Sequence, residues 1–115
     1  MKAPFPHLPI AVGISLLISG STAMAQSERM VEGEAVYKAK CARCHSTGVM
    51  GAPITGSPTD WEDRSALWEG VLMEHANEGW LNMPAKGGEQ SLSEYDVDVA
   101  AEYMLTSSHP DLQAD

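Results

Sequence analysis

Cys41-Ala42-Arg43-Cys44-His45 is the stretch from which the rest of this chain can be read. Two thiols three positions apart, followed at once by an imidazole, form C-x-x-C-H, the attachment signature of a c-type haem. The two sulfurs can form thioether bonds to the vinyl groups of one porphyrin edge, and the adjacent His45 then falls under the iron as its proximal ligand. Three other readings use the same residues. A thioredoxin-like dithiol also carries C-x-x-C, but in a βαβ setting, and no strand pattern precedes Cys41. A structural zinc site needs four ligands, which Cys41, Cys44, His45 and a distant His could supply. A plain disulfide is the simplest of the three.

The segment upstream favours the haem. Residues 1–25 read as a signal peptide and not as part of the fold. Lys2 gives a positive start, Leu8 to Ile18 an apolar run, and Ala23-Met24-Ala25 the small-x-small pattern read by signal peptidase. The run is shorter than the roughly 20 residues a bilayer crossing takes. An uncleaved anchor is the alternative. Cleavage after Ala25 leaves one domain, residues 26–115, globular over about 28–107, in a periplasmic location.

Composition narrows the class. A chain of 115 residues allows one small domain. Its 16 acidic against 7 basic residues argue against a nucleic-acid partner, which calls for cations to displace phosphate counterions. Apolar content of 43% with 20% charged residues argues against disorder. Two cysteines rule out a disulfide-stapled scaffold. Aromatic content of 6% is thin for a small core. A porphyrin would supply the missing apolar centre.

The pattern predicts three or four helices joined by Gly/Pro-rich loops. The first spans Glu28 to about Lys40 with Ser27 as N-cap, and Gly33 on its inner face marks a close approach by another helix. A short helix starts at Asp60 on Thr59-Asp60-Trp61-Glu62, which has capping-box spacing. Another, capped by Ser65, carries Leu67, Val71, Leu72 and His75 on its apolar side and ends at Gly79. The last starts at Ser93 with Asp96 completing a capping box, and buries Val97, Ala100, Ala101 and Met104.

A sixth iron ligand is sought among the methionines. Met30, Met73 and Met104 fall in helices, where packing is the usual role. Met50 is too close to His45 to reach the opposite face of the ring. Met83 lies in a loop and is held extended by Pro84. Met83 is therefore the chosen distal ligand, with His75 as its rival.

Together these segments resemble a class I c-type cytochrome, most closely the cytochrome c5 group. Gly33-Glu34-Ala35-Val36-Tyr37 resembles the family's first helix, Gly51-Ala52-Pro53 its loop after the haem motif, Trp61-Glu62-Asp63-Arg64 its W-x-x-R segment, and Met83-Pro84-Ala85-Lys86-Gly87-Gly88 its methionine loop. The resemblance implies an all-α cytochrome c fold around one covalently bound haem c. It implies that the first and last helices cross at Gly33, with Tyr37 and Tyr103 nearby. It further implies that Pro53 offers its carbonyl to the second nitrogen of His45, that Arg64 and Trp61 hydrogen-bond a haem propionate, and that Asn82 orients the Met83 sulfur. The extra cysteine pair of some members is missing here.

An iron with His and Met on its two faces has no open position and suits one-electron transfer. The expectation is an exported electron carrier, not an enzyme, with redox proteins as donors and acceptors and no small-molecule substrate. Any membrane contact would come through partner complexes or a retained signal. A haem-bearing subunit of an oxidoreductase complex is the alternative. Lys38, Lys40, Arg43 and Lys86 flank the ligand segments, while Glu94, Asp96, Asp98 and Glu102 crowd the last helix. That uneven charge could orient the haem edge toward a partner.

Overall fold

The structure, a computed structural model, describes Met1, residues 21–62, Arg64 and residues 69–109. Most of the 1–25 segment, the Ser65 cap, Leu67 and the tail beyond residue 109 lie outside the described residues. Among the described residues there is no β-strand, only a two-residue bridge between Trp80 and Met83. No helix among them is long and apolar enough to cross a membrane.

Five α-helices follow in order: α1 Ser21–Val36, α2 Ala42–His45, α3 Pro58–Trp61, α4 Glu69–Glu78 and α5 Glu94–Ser108. Only α1, α4 and α5 are longer than one turn. The first helix begins earlier than its sequence pattern predicts, so Ser27 lies inside α1 and caps nothing. It then opens into a π-turn over Tyr37–Cys41, where the Ala42 N–H donates to the Tyr37 carbonyl five residues back. One extra residue in a turn rotates everything after it by about 100° around the helix axis. The short helix α3 starts at Pro58, not Asp60; proline suits that first position because its missing N–H would have no partner there.

The last helix is the centre of the fold. Val97, Val99, Ala100, Ala101 and Met104 are all buried on it, facing α1 on one side and α4 on the other. Its start is fixed by the predicted capping box. The Asp96 N–H donates to Ser93 Oγ at 3.1 Å, and the Ser93 N–H donates to Asp96 Oδ2 at 2.9 Å. Near its end the buried Ser108 hydroxyl donates to Met104 O at 2.7 Å and accepts the Gly56 N–H at 3.0 Å, which ties the middle loop to α5.

Helices α1 and α5 meet at Gly33. A Cβ there would stand 2.1 Å from the Val99 carbonyl oxygen, so only glycine permits this approach. The Tyr37 and Tyr103 rings pack beside the crossing with centroids 5.3 Å apart. At its outer edge, Arg29 donates twice to Glu102 Oε2, at 2.9 and 2.6 Å, and lies 5.4 Å from the Tyr95 ring centroid. Val71, expected on the apolar side of α4, is 36% exposed; Leu72, His75 and the buried Ala76 form that side instead.

Gly33→Ala is expected to destabilise the protein by about 2–3 kcal/mol, since overpacked backbone cannot yield as a side chain can. Thermal unfolding should then fall by roughly 10–20 °C. Gly70→Ala in α4 meets nothing within 4 Å and should instead raise stability, by up to about 1 kcal/mol.

Candidate cofactor site

The π-turn and α2 carry Cys41, Cys44 and His45 to one wall of a cavity of about 580 Å³. This volume lies in the range of small-molecule and cofactor sites. Met83 lines the same cavity, and α4 and α5 contribute Leu72, Ala76, Ala100 and Met104 to it. Both cysteines are free and half-buried. Burial pushes the Cys41 thiol up in pKa, with the Arg43 guanidinium pulling the other way, so at neutral pH it is a thiol.

His45 is 7% exposed, and its Nδ1 lies 2.9 Å from the Pro53 carbonyl oxygen. A carbonyl can only accept, so Nδ1 carries the proton. In the neutral ring, Nε2 then holds the free lone pair that a metal requires. The contact implied for Pro53 is thus present, and it selects the ligating tautomer. The His45 carbonyl in turn accepts the Thr55 N–H at 2.8 Å, so the Pro53 loop is held to α2 at two points.

The Met83 segment is built just as tightly. Gly79 ends α4 with φ of 89°, and a Cβ on it would sit 2.9 Å from the Ala85 nitrogen and 3.1 Å from the Met83 carbonyl oxygen. Glycine here lets the returning chain pass against the helix end. Trp80 and Met83 then exchange backbone hydrogen bonds of 3.0 and 2.9 Å across a two-residue turn. His75, the rival ligand, is stacked flat on Trp80, with centroids 4.0 Å apart and planes 5° apart. Its ring braces the turn.

Two of the expected residues have other partners in the fold. Trp61, expected at a propionate, has its single donor, the indole N–H, engaged by the Ile54 carbonyl at 2.9 Å. Its part in the site is that of a buried wall, 5% exposed. Asn82 Nδ2 reaches the Met50 carbonyl at 3.4 Å and not the Met83 sulfur. Arg64 stands exposed at the cavity edge with one N–H donating to the Asp60 carbonyl at 2.6 Å.

The charges around the cavity are one-sided. Lys40, Arg43, Arg64 and Lys86 line it, and no carboxylate among the described residues does. Three of these cations are also held in place. Lys40 pairs with Glu89 at 2.9 Å, Arg43 donates to the Gly87 carbonyl, and Lys86 donates to the Leu92 carbonyl at 2.6 Å. Glu89 is held down at about 2 by hydrogen bonds from Ser91 and Lys40, so its carboxylate stays ionised for that pair as the pH falls to about 2. Lys38 pairs with Glu34 away from the cavity. On α5, Asp96, Asp98 and Glu102 are occupied by the cap, by Asn77 and by Arg29. Three of the four carboxylates that crowd the last helix are therefore engaged within the fold.

These residues fit a covalently held haem. Two free thiols, one imidazole with a proton-free Nε2 and a thioether line one largely apolar cavity, and the surrounding cations suit two propionates. The zinc reading finds no support, because no group of three or more His, Cys, Asp or Glu among the described residues could hold a metal ion.

Comparison with known proteins agrees. Residues 28–104 match the family described as cytochrome C oxidase, cbb3-type, subunit III. The chain is 39% identical over 101 residues to cytochrome c-555 of Chlorobaculum tepidum, covering 84% of this chain and 91% of that one. It is 36% identical over 80 residues to cytochrome c-551 of Halorhodospira halophila, covering 66% and 99%. A chain in the crystal structure of the electron transfer complex of nitrite reductase with cytochrome c superimposes with a TM-score of 0.64 at 29% identity, covering 68% of this chain and 95% of that one. The all-α architecture, the covalent haem c and the electron-carrying role thus come together, and the chain belongs to the class I c-type cytochromes.

Proposed function

We propose that Cys41 and Cys44 hold haem c as thioethers, that His45 and Met83 ligate its iron, and that the protein carries single electrons between redox proteins in the periplasm. The observation that carries this reading is the meeting of Cys41, Cys44, His45 and Met83 on one cavity lined by cations alone among charged groups. Haem c, when bound, supplies a ferric–ferrous couple.

The chain's own residues do the rest. Pro53 holds the His45 ring by its proton, which keeps Nε2 free and aimed. Burial of His45 excludes water from that ligand. The Trp80–Met83 hydrogen bonds hold the thioether ligand without a disulfide, and a thioether favours the ferrous state. Arg64 is the propionate donor, since its remaining N–H groups are exposed at the cavity edge. Export follows from the small-x-small pattern at Ala23-Met24-Ala25; cutting there trims the first residues of α1 and leaves the Gly33 crossing whole.

The second reading, a haem-bearing subunit of an oxidoreductase complex, takes its support from the description of the matched family as an oxidase subunit. Purification as a free, redox-active protein separates it from the first.

The reduced protein should show a sharp c-type α band, and its pigment should stay with the polypeptide through acid–acetone extraction. Loss of colour in that extraction would refute attachment through Cys41 and Cys44. Met83→Ala should keep the haem, remove the weak long-wavelength ferric band and lower the midpoint potential by on the order of 0.1 V. An unchanged ferric spectrum would exclude Met83 as ligand. The intact mass should correspond to residues 26–115 plus one haem; a mass including residues 1–25 would show a retained signal.

A further inference from the structure

We infer that Arg43, between the two thiols, is a positioning residue for Met83: its guanidinium fastens the methionine loop to the haem-attachment segment and so holds the thioether on the iron. This inference rests on the ligands proposed above.

Haem attachment asks for two sulfurs and an imidazole and leaves the residues between the cysteines open. Position 43 nonetheless holds an arginine that reaches across the chain. Its Nη2 donates to the Gly87 carbonyl, 44 residues on and just past Met83. The two segments lie close together there. A Cβ on Gly88 would stand 3.6 Å from Arg43 Nη2, and one on Gly87 would stand 3.8 Å from the Lys40 carbonyl oxygen.

The loop needs such a link. No residue from 84 to 89 is fully buried, and Lys86, Gly87 and Gly88 follow one another at φ of 55°, 64° and 83°. Within the loop, the Gly87 N–H donates to the Pro84 carbonyl at 3.0 Å and the Glu89 N–H to the Lys86 carbonyl at 3.1 Å. A segment with so few buried apolar contacts opens readily unless something pins it. Toward α4, the Trp80–Met83 bonds and the close pass at Gly79 do so. Toward the haem motif, Arg43 and Lys40 do so, the second through Glu89 at 2.9 Å.

Of these two links, Arg43 acts nearer the ligand. Its acceptor is backbone, and belongs to the Pro84–Gly87 turn that directly follows Met83. Lys40 joins side chain to side chain, farther along the loop. A carbonyl does not titrate and a guanidinium keeps its charge, so the Arg43 link is indifferent to pH. A charged donor also makes the stronger hydrogen bond.

Its place in the chain gives the link its effect. Cys41 and Cys44 flank Arg43, so once both sulfurs are bonded the backbone there cannot move apart from the porphyrin. Fastening Gly87 to that point sets the methionine loop against the same ring. An axial ligand keeps its bearing only when the chain around it is held. Arg43 is exposed, so water competes for the contact and its effect is modest.

The test uses the haem-loaded protein and follows imidazole, a ligand added from outside, as it replaces Met83 at the ferric iron. At high imidazole the rate levels off at the rate at which Met83 leaves, so the plateau reports loop opening alone. Arg43→Gln removes the charged donor and should raise the plateau about fivefold, as expected for one exposed charge-assisted hydrogen bond. Arg43→Lys keeps a charged donor and should raise it less. Haem content and the long-wavelength ferric band at neutral pH should match wild type in both. Two variants serve as controls. Lys38→Gln removes a cation that pairs with Glu34 away from the cavity. Arg29→Gln breaks the contact with Glu102 at the α1–α5 seam and should lower the unfolding temperature. Neither should move the plateau. An unchanged plateau in Arg43→Gln would overturn the inference, as would an equal rise in either control. The reduced wild type supplies a second measurement without any substitution. Its Arg43 guanidinium protons should be resolved by NMR and show cross-relaxation to the Gly87 and Gly88 Hα protons; a freely rotating guanidinium would also overturn the inference. A wild type lacking the long-wavelength ferric band would instead defeat the Met83 assignment itself, before any variant is compared.

Discussion

Backbone against backbone at Gly33 and Val99 sets the distance between α1 and α5, and most of the molecule is hung from that distance. Because α5 is pinned there, its other face, Ala100 and Met104, is offered to the cavity at a fixed depth. The tyrosine pair packs beside the crossing, with Tyr103 Cβ 3.0 Å from where a side chain at position 33 would begin. The Arg29–Glu102 contact closes the outer edge, where an ion pair alone is worth little but joins a packed seam.

From that frame the His45 and Met83 segments are held by different means. His45 is fixed through its side chain, by a hydrogen bond to Pro53 that determines where its proton sits. Met83 is fixed through its backbone, by a two-residue turn closed on Trp80 and by the glycine at the end of α4. A thioether has no strong hydrogen bond to offer, so its direction can be controlled only by controlling the chain that bears it. An imidazole has a second nitrogen, and the fold uses it.

Much of this was legible in the sequence, and for stated reasons. The C-x-x-C-H spacing, the Ser93–Asp96 capping box and the glycine at position 33 are local patterns whose geometry follows from a few residues. The contact between Pro53 and His45 came from family resemblance, not from spacing. What could not be read depended on residues distant in the chain or on alternatives of similar energy. The indole N–H of Trp61 goes to the Ile54 carbonyl, seven residues back, which only the folded loop brings to it. Val99 lies off the apolar stripe of α5 and is buried because Gly33 brings a second backbone onto it. The cations near the motif looked like a free patch because their partners, Glu89 and two carbonyls, come from a loop more than forty residues away or from its own folding back.

The π-turn at Tyr37–Cys41 has a broader consequence. An uninterrupted helix acts as a protractor: once one residue is set against a neighbour, the bearing of every later residue is determined. Here the packing demand at position 33 and the aiming demand at positions 41 to 45 fall on one continuous stretch of chain. The widened turn works as a clutch between them. The thiols therefore take a bearing that an uninterrupted helix running on from position 33 would not give them.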